Sequence, residues 1–277
     1  MPEGPEVKLS ADLIRPLVVN KTLKSAHSTA NSRYGDSRNG YSSELGEFGR
    51  FQDFTMDTKV LSVDVRGKFM YWTFTDNWYM SCTFGMTGQW SPQEGKHPCF
   101  IFEFTDGSKM CFNDHRHFGT IKFTNNPQAI MDKLDELGWD PLSMHLVDNI
   151  PWLKSKLSRT GKPIAEVLMD QSVFAGVGNY IRAEALYLSK ISPWRPANLL
   201  TPDEILRLGQ SVVGVMNESY QHQGATISTY KTAYGEDGNY STLFKVYGQK
   251  KDPLGNAIIK QKTPDKRIIH WCPSVQV

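Results

Sequence analysis

The chain opens Met1-Pro2-Glu3-Gly4-Pro5-Glu6. If Met1 is removed, Pro2 presents a secondary amine at the terminus. A terminal α-amine titrates near roughly 7.7–8.0, against about 10.4 for lysine, so far more of it is neutral at physiological pH. A neutral amine can add to a carbonyl or to a sugar C1′ and form an iminium, the Schiff-base route of covalent catalysis. Glu3 stands next to it and can serve as acid and base at the same carbon. A Met-Pro start followed by a solvated glutamate is also common, so these residues assign nothing by themselves.

Further along, Lys68 sits in Arg66-Gly67-Lys68-Phe69. Read as strand, Arg66 and Lys68 share a parity and are expected to face one side, where a lysine can bind phosphate or polarise a sugar oxygen. In Phe84-Gly85-Met86-Thr87-Gly88 the glycines suggest a tight turn displaying Met86, with a gap-filling core methionine as the alternative. Asn113-Asp114-His115-Arg116-His117-Phe118-Gly119 alternates His115 with His117 and Arg116 with Phe118. The histidine pair lacks the further ligands a metal normally takes. An arginine and a phenylalanine projecting together instead combine a polar donor with an apolar wedge, properties suited to entering duplex DNA. In Ala175-Gly176-Val177-Gly178-Asn179-Tyr180, glycines precede a predicted helix with Asn179 near its N-cap, and free N–H groups there form a phosphate seat. This is no dinucleotide fingerprint, since the third glycine is missing and a helical segment precedes it. Helix, Gly-rich turn and helix together resemble a docking unit that grips nucleic-acid backbone.

The elements that must position these residues point to an α+β fold. Apolar spacing predicts a helix over 5–19, ended or weakened at Pro16. Residues 28–50, rich in Ser, Asn, Gly and Arg, read as loop. Strand-like runs follow over 60–65, 69–74, 78–90, 99–105 and 108–112, with Asp106-Gly107 a hairpin signal, so a two-sheet sandwich or flattened barrel is expected. The second half is helical: 163–170, a helix from about Ile181 to Pro193, and one opened by the capping box at Thr201-Pro202-Asp203-Glu204 and running to about Gln221. Residues 252–256 read as a turn between 244–248 and 257–262, in a small basic hairpin. The expected organisation is an N-terminal sandwich domain over 1–130, a linker over 131–150, a helical domain over 151–242 and a hairpin over 243–277.

Charge sharpens this picture. Residues 245–267 hold seven basic residues against Asp252 and Asp265, a local charge of +5 in a chain whose formal net charge is +2. Such a segment suits a polyanionic partner, or is an ordinary solvated lysine face. The four cysteines, Cys82, Cys99, Cys111 and Cys272, form no CxxC pair. With no leader or membrane-length apolar run in view, the expectation is an intracellular protein with reduced thiols.

Together these motifs resemble, in order and over essentially the whole chain, the Fpg/Nei family of bifunctional DNA glycosylases, of the endonuclease VIII-like kind. The resemblance implies an N-terminal helix and β-sandwich, a helix–two-turn–helix domain and a C-terminal hairpin finger. It makes Pro2 the nucleophile, Glu3 the acid/base, Glu6 a supporting carboxylate and Lys68 a further catalytic lysine. Met86, Arg116 and Phe118 become the residues filling the gap left by a flipped base, and Asn179 and Arg267 phosphate contacts. Family members with a zinc finger carry two CxxC pairs. Here Leu254 and Ala257 stand at the first pair, and Cys272 with Val275 at the second, so the resemblance implies a zincless finger with no metal or other cofactor. Phe244, Val246, Tyr247, Ile258, Ile259, Ile269 and Trp271 are the candidates to hold it by packing.

The implied partner is double-stranded DNA carrying oxidised bases or abasic sites, bound by a monomer with no membrane involved. The compartment is nuclear if the source is eukaryotic, and otherwise cytoplasmic or viral. The implied activity is base excision with strand cleavage by β,δ-elimination. The opening residues and the finger favour oxidised pyrimidines, with hydantoins also expected. The long polar segment 224–243 resembles the loop that covers an oxidised purine, which keeps 8-oxoguanine and formamidopyrimidine open. A lesion- or abasic-site-binding protein that does not cut is the other reading.

Overall fold

The computed structural model describes residues 2–277 except 31, 40–42, 54–56 and 227–235. The chain divides into two compact units. The first comprises Met1–Pro2, Glu6–Asp135 and Ala225–Gly238, and the second Glu3–Pro5, Glu136–Gly224 and Asn239–Val277. The segment 225–238, which sequence groups with the helical half, therefore belongs with the first unit.

Helix α1 (Gly4–Val18) contributes most of its length to the first unit. Pro16 lies inside its last turn, and the helix runs two residues past it, because a proline there removes few intrahelical bonds. Eight strands follow: β1 (Leu23–Ser28), β2 (Val60–Arg66), β3 (Phe69–Phe74), β4 (Tyr79–Thr83), β5 (Gln89–Ser91), β6 (Pro98–Phe104), β7 (Lys109–Asn113) and β8 (Thr120–Thr124). They form two four-stranded antiparallel sheets, ordered β1-β6-β7-β5 and β2-β3-β4-β8. The expected single run over 78–90 is two strands, since the Met86 turn interrupts it. The Asp106-Gly107 hairpin forms as read, with Gly107 at φ +83° and its N–H on the Phe104 carbonyl at 3.0 Å.

Aromatic side chains fill the core of this unit. Trp72 lies 5.1 Å from Trp90 and 5.4 Å from Phe102, ring centre to ring centre. Part of the filling comes from α2 (Phe48–Asp53), in a stretch expected to end a loop. Phe48 and Phe51 are fully buried, 4.9 and 4.6 Å from Phe123. Spaced three apart, they leave one face of a single helical turn, and the Gly- and Ser-rich flank hides that pair from composition. Helix α3 (Pro127–Asp135) ends the unit beside β4.

The second unit holds α4 (Leu146–Leu157), the single turn α5 (Ile164–Val167), α6 (Asn179–Leu188) and α7 (Pro202–Gln221). The 131–150 stretch expected as a linker thus carries the end of α3 and the start of α4. The capping box on α7 is formed: Glu204 Oε2 accepts the Thr201 N–H at 2.7 Å, and Thr201 Oγ1 accepts the Glu204 N–H at 3.3 Å. Both α4 and α6 pack on α7. The hairpin is β9 (Ile259–Lys262) with β10 (Ile268–Trp271), packed on α6. Residues 244–248 are not a strand. They fold as turns, because their backbone N–H groups are taken by a side chain of α6. Among the proposed packing residues, Val246 and Ile269 are buried, whereas Ile259 is 44 % exposed on the outer strand. No helix among the described residues is long and apolar enough to cross a membrane.

Candidate active site and nucleic-acid interface

In the first unit, Pro2 is buried at the head of the chain, and Met1 lies outside the described residues. Glu6 is buried, and its Oε1 accepts the Ala225 N–H at 2.8 Å. It thereby anchors the start of the polar segment that returns to this unit. The far end is tied at Thr226, whose hydroxyl accepts the Gly238 N–H at 2.8 Å. Residues 227–235 of that segment lie outside the described residues.

Lys68 is not a strand residue. Arg66 pairs with Phe69, so Gly67 and Lys68 form a two-residue hairpin turn. Gly67 has φ +58°, the first-position glycine of a type II′ turn. The expected shared parity of Arg66 and Lys68 therefore fails: the lysine is half-buried at a turn tip.

Met86 does occupy a tight turn, closed by the Gly88 N–H on the Phe84 carbonyl at 2.8 Å. Gly85 adopts φ +56°, and a Cβ there would come within 2.5 Å of the Phe118 carbonyl carbon. The turn thus abuts the loop that carries Arg116 and Phe118. In that loop the Arg116 guanidinium stacks 4.9 Å from the Phe118 ring centre, and Phe118 is 53 % exposed. The structure thus places the two side chains of the alternation against each other, with the phenylalanine at the surface. His117 directs its Nδ1 at Cys99 Sγ (3.7 Å) instead of joining His115 in a metal pair.

In the second unit two of the N–H groups at the helix terminus expected to offer a phosphate seat are already taken. Glu3 takes them: the Tyr180 and Ile181 N–H groups donate to its two carboxylate oxygens at 3.1 and 3.3 Å. An acid at a helix N-terminus is favourable, and Gly178 makes the approach possible, since a Cβ there would overlap the Glu3 carboxyl carbon. Asn179 is the first helical residue, after Gly178 as cap. Its Nδ2 donates to the Ile268 carbonyl at 3.1 Å and to the Tyr247 hydroxyl at 3.5 Å, joining helix, hairpin and Tyr247 in one cluster.

Arg267 is exposed, with Nη1 on Asp265 Oδ2 at 3.0 Å. The same oxygen receives Nη1 of the fully buried Arg182 at 3.2 Å. Burial holds the Arg182 guanidinium below its ordinary pKa, with Asp265 opposing. Two residues along α6, buried Glu184 accepts the backbone N–H groups of Lys245, Val246 and Tyr247 at 2.9, 2.9 and 2.8 Å. Burial pushes the Glu184 carboxyl up, against those three donors.

Comparison with known proteins bears on the whole chain. Residues 1–121 match the formamidopyrimidine-DNA glycosylase N-terminal domain, and residues 137–231 its H2TH domain. A formamidopyrimidine-DNA glycosylase from an Exiguobacterium species is 31% identical over 287 residues, covering 100% of this chain and 99% of the relative. The chain belongs to the formamidopyrimidine-DNA glycosylase family. Among solved structures, the Thermus thermophilus MutM (Fpg) protein superposes with TM-score 0.84 at 28% identity, over 99% of this chain and 98% of that one. The Lactococcus lactis Fpg protein in complex with abasic-site DNA has the same fold, with TM-score 0.83 at 24% identity and 99% of both chains covered.

Within that family the residues at the zinc-finger positions do not fit a tetrahedral zinc. Leu254 is 78 % exposed, and Cys272 Sγ lies 3.7 Å from Asp252 Oδ2 as a hydrogen-bond donor. Among the described residues no group of three or more His, Cys, Asp or Glu could hold a metal ion. The Asp252 carboxylate also receives the N–H groups of Leu254 (3.0 Å) and Asn256 (2.7 Å), the Asn256 amide (2.9 Å) and the Tyr187 hydroxyl (3.1 Å). The sequence motifs assign no role to Asp114, Arg182, Glu184 or Asp252. For Arg182 and Glu184 a signal existed, two charges inside the otherwise apolar helix NYIRAEALYL, since such residues are fully buried only when paired.

Proposed function

We propose that the protein is a base-excision DNA glycosylase with abasic-site lyase activity, acting through Pro2 on formamidopyrimidine and 8-oxoguanine lesions. The observation that carries the reading is the seating of Glu3: the residue after the proposed nucleophile is held by two backbone N–H groups of α6. A carboxylate held by two donors is fixed in place, which an acid/base acting at C1′ and the ring oxygen requires.

The neutral Pro2 amine adds to C1′ as the glycosidic C–N bond breaks and the base leaves with a proton. Ring opening, with Glu3 delivering a proton to O4′, yields the iminium. The iminium draws electrons from C2′, a C2′ proton departs and the C3′–O bond breaks. A second elimination breaks the C5′–O bond. Flipping the nucleotide costs least where pairing is already weak. Met86 fills the vacancy, Phe118 wedges beside the opposite strand, and Arg116 faces the orphaned base. Lys68, Asn179 and Arg267 contact backbone phosphates of the duplex.

Two findings favour the purine-type substrate over the oxidised pyrimidines expected from the opening residues. The relatives are named for formamidopyrimidine, and a Lactococcus lactis Fpg variant is solved with Fapy-dG-containing DNA. Glu6 further anchors, at Ala225, the segment likened to a purine-covering loop.

The test is borohydride trapping on a duplex with one abasic site, using protein verified by mass to begin at Pro2. An adduct on the N-terminal peptide, and release of formamidopyrimidine ahead of thymine glycol, are the expected results. Tight abasic-site binding with no adduct would leave a lesion-binding protein that does not cut.

A further inference from the structure

We propose that Asp114 is the positioning residue that locks the Met86 turn and the Arg116–Phe118 loop into one inserting unit, and so sets how strongly the enzyme depends on a paired duplex. The inference rests on the glycosylase reading above and names a residue that takes no part in its chemistry. Asp114 is 1 % exposed. A carboxyl buried that deeply must be satisfied by hydrogen bonds, and among the described residues its side-chain bonds go to these two loops. Oδ1 accepts the Thr87 hydroxyl and the Arg116 N–H (3.3 Å), and Oδ2 accepts the Gly119 N–H at 2.7 Å. Thr87 closes the link by accepting the same Arg116 N–H at 3.3 Å.

The backbone of Asp114 fixes the pair to the sheet. Its N–H donates to the His97 carbonyl at 3.0 Å, and its carbonyl accepts the His117 N–H at 3.3 Å and the Cys99 thiol at 3.4 Å. Between the two wedge residues, His117 is held at φ +56°, a left-handed conformation uncommon outside glycine. Such a conformation persists only where its surroundings over-determine it, and the bonds of Asp114 to Arg116, His117 and Gly119 do so. Met86 thus stands on a turn whose next residue is bonded to the same carboxylate as the Arg116–Phe118 loop. Insertion of one and wedging by the other then share a single ordering cost instead of two.

That advantage exists only where there is a base stack to enter and a strand opposite to wedge. Asp114→Asn, and separately the near-isosteric Thr87→Val, should lower kcat/KM on a duplex lesion and trapping on a duplex abasic site by about tenfold, a barrier change of about 1.4 kcal/mol. Preference for the base opposite the lesion should flatten. Trapping on a single-stranded abasic oligonucleotide should stay within about twofold of wild type, and Thr87→Ser should restore the duplex rate. Should Asp114→Asn prove unfolded by circular dichroism, Thr87→Val decides the question. Equal losses on both substrates, or no loss on the duplex, would overturn the proposal. Failure of the wild-type protein to trap either substrate would instead sink the lyase reading beneath it.

Discussion

At the scale of single residues, the catalytic proposal depends on an atom that is missing. Gly178 has no Cβ, and the space a Cβ would need holds the Glu3 carboxyl carbon. Gly178→Ala must either push the carboxylate off the N–H groups of Tyr180 and Ile181 or shift the start of α6. Either way the acid/base loses its orientation. Misplacement by about 1 Å costs on the order of 10²-fold in rate. Single-turnover strand cleavage should fall by about that factor, while melting of the protein moves by only a few degrees. Glu3→Gln makes the comparison sharp. The amide keeps the shape but offers one acceptor oxygen in place of two, so it holds one of the two N–H groups, and cleavage it loses beyond Gly178→Ala reflects the missing proton acceptor. If Gly178→Ala cleaves at the wild-type rate, the seat is a helix cap and nothing more.

At the scale of elements, the sandwich shows where sequence is legible and where it is not. The Asp106-Gly107 hairpin and the Thr201–Glu204 capping box were readable because each is specified by residues within four positions of one another. Helix α2 was not readable: its two buried rings acquire meaning only against Phe123, some 70 residues away. Helix α4 was hidden by Pro151 inside it, although Leu153 and Leu157 bury at helical spacing. Among the candidate site residues, the parity of Lys68 was not legible, because the positive φ of Gly67 makes a turn of an apparent strand. The use of the α6 terminus was not legible either, because the Tyr180 and Ile181 N–H groups beside Asn179 serve Glu3, some 177 positions distant in sequence. Phe48 gives the measurable consequence. Truncating a fully buried phenylalanine to alanine costs about 3–5 kcal/mol. Phe48→Ala should lower the urea midpoint accordingly, and an unchanged midpoint would mean that α2 is a surface appendage.

At the scale of the whole molecule, the +5 segment over 245–267 raises the question of what holds so basic a stretch in place. The hydrogen bonds answer with three carboxylates. Glu184 holds the backbone of 245–247, Asp252 the turn at 254–256, and Asp265 ties Arg267 to Arg182. Chelators should therefore leave the hairpin folded, and acid should not. The signs differ among the three. Burial raises the Asp252 pKa, but the Asn256 amide and N–H, Tyr187 and Leu254 outweigh it, leaving the carboxyl below its ordinary value. Asp265 is likewise depressed, burial being outweighed by Thr263, Arg267 and Arg182. A depressed carboxyl stabilises the fold above its unfolded pKa, about 3.9 for aspartate, and that contribution is lost as pH falls through the folded value. Glu184, raised by burial, acts oppositely. The folded state takes up its proton before the unfolded state does, so stability rises slightly as pH falls towards the ordinary glutamate value. Amide exchange over 245–262, corrected for the intrinsic rate, should therefore be slowest on the mildly acidic side of neutral and accelerate sharply below about pH 4. Asp252→Asn cannot ionise, so its acid limb should flatten at 254–256 while 245–247 keeps the wild-type profile. A hairpin that instead opens on adding EDTA at pH 7, with no acid limb, would show that a metal and not these carboxylates anchors it.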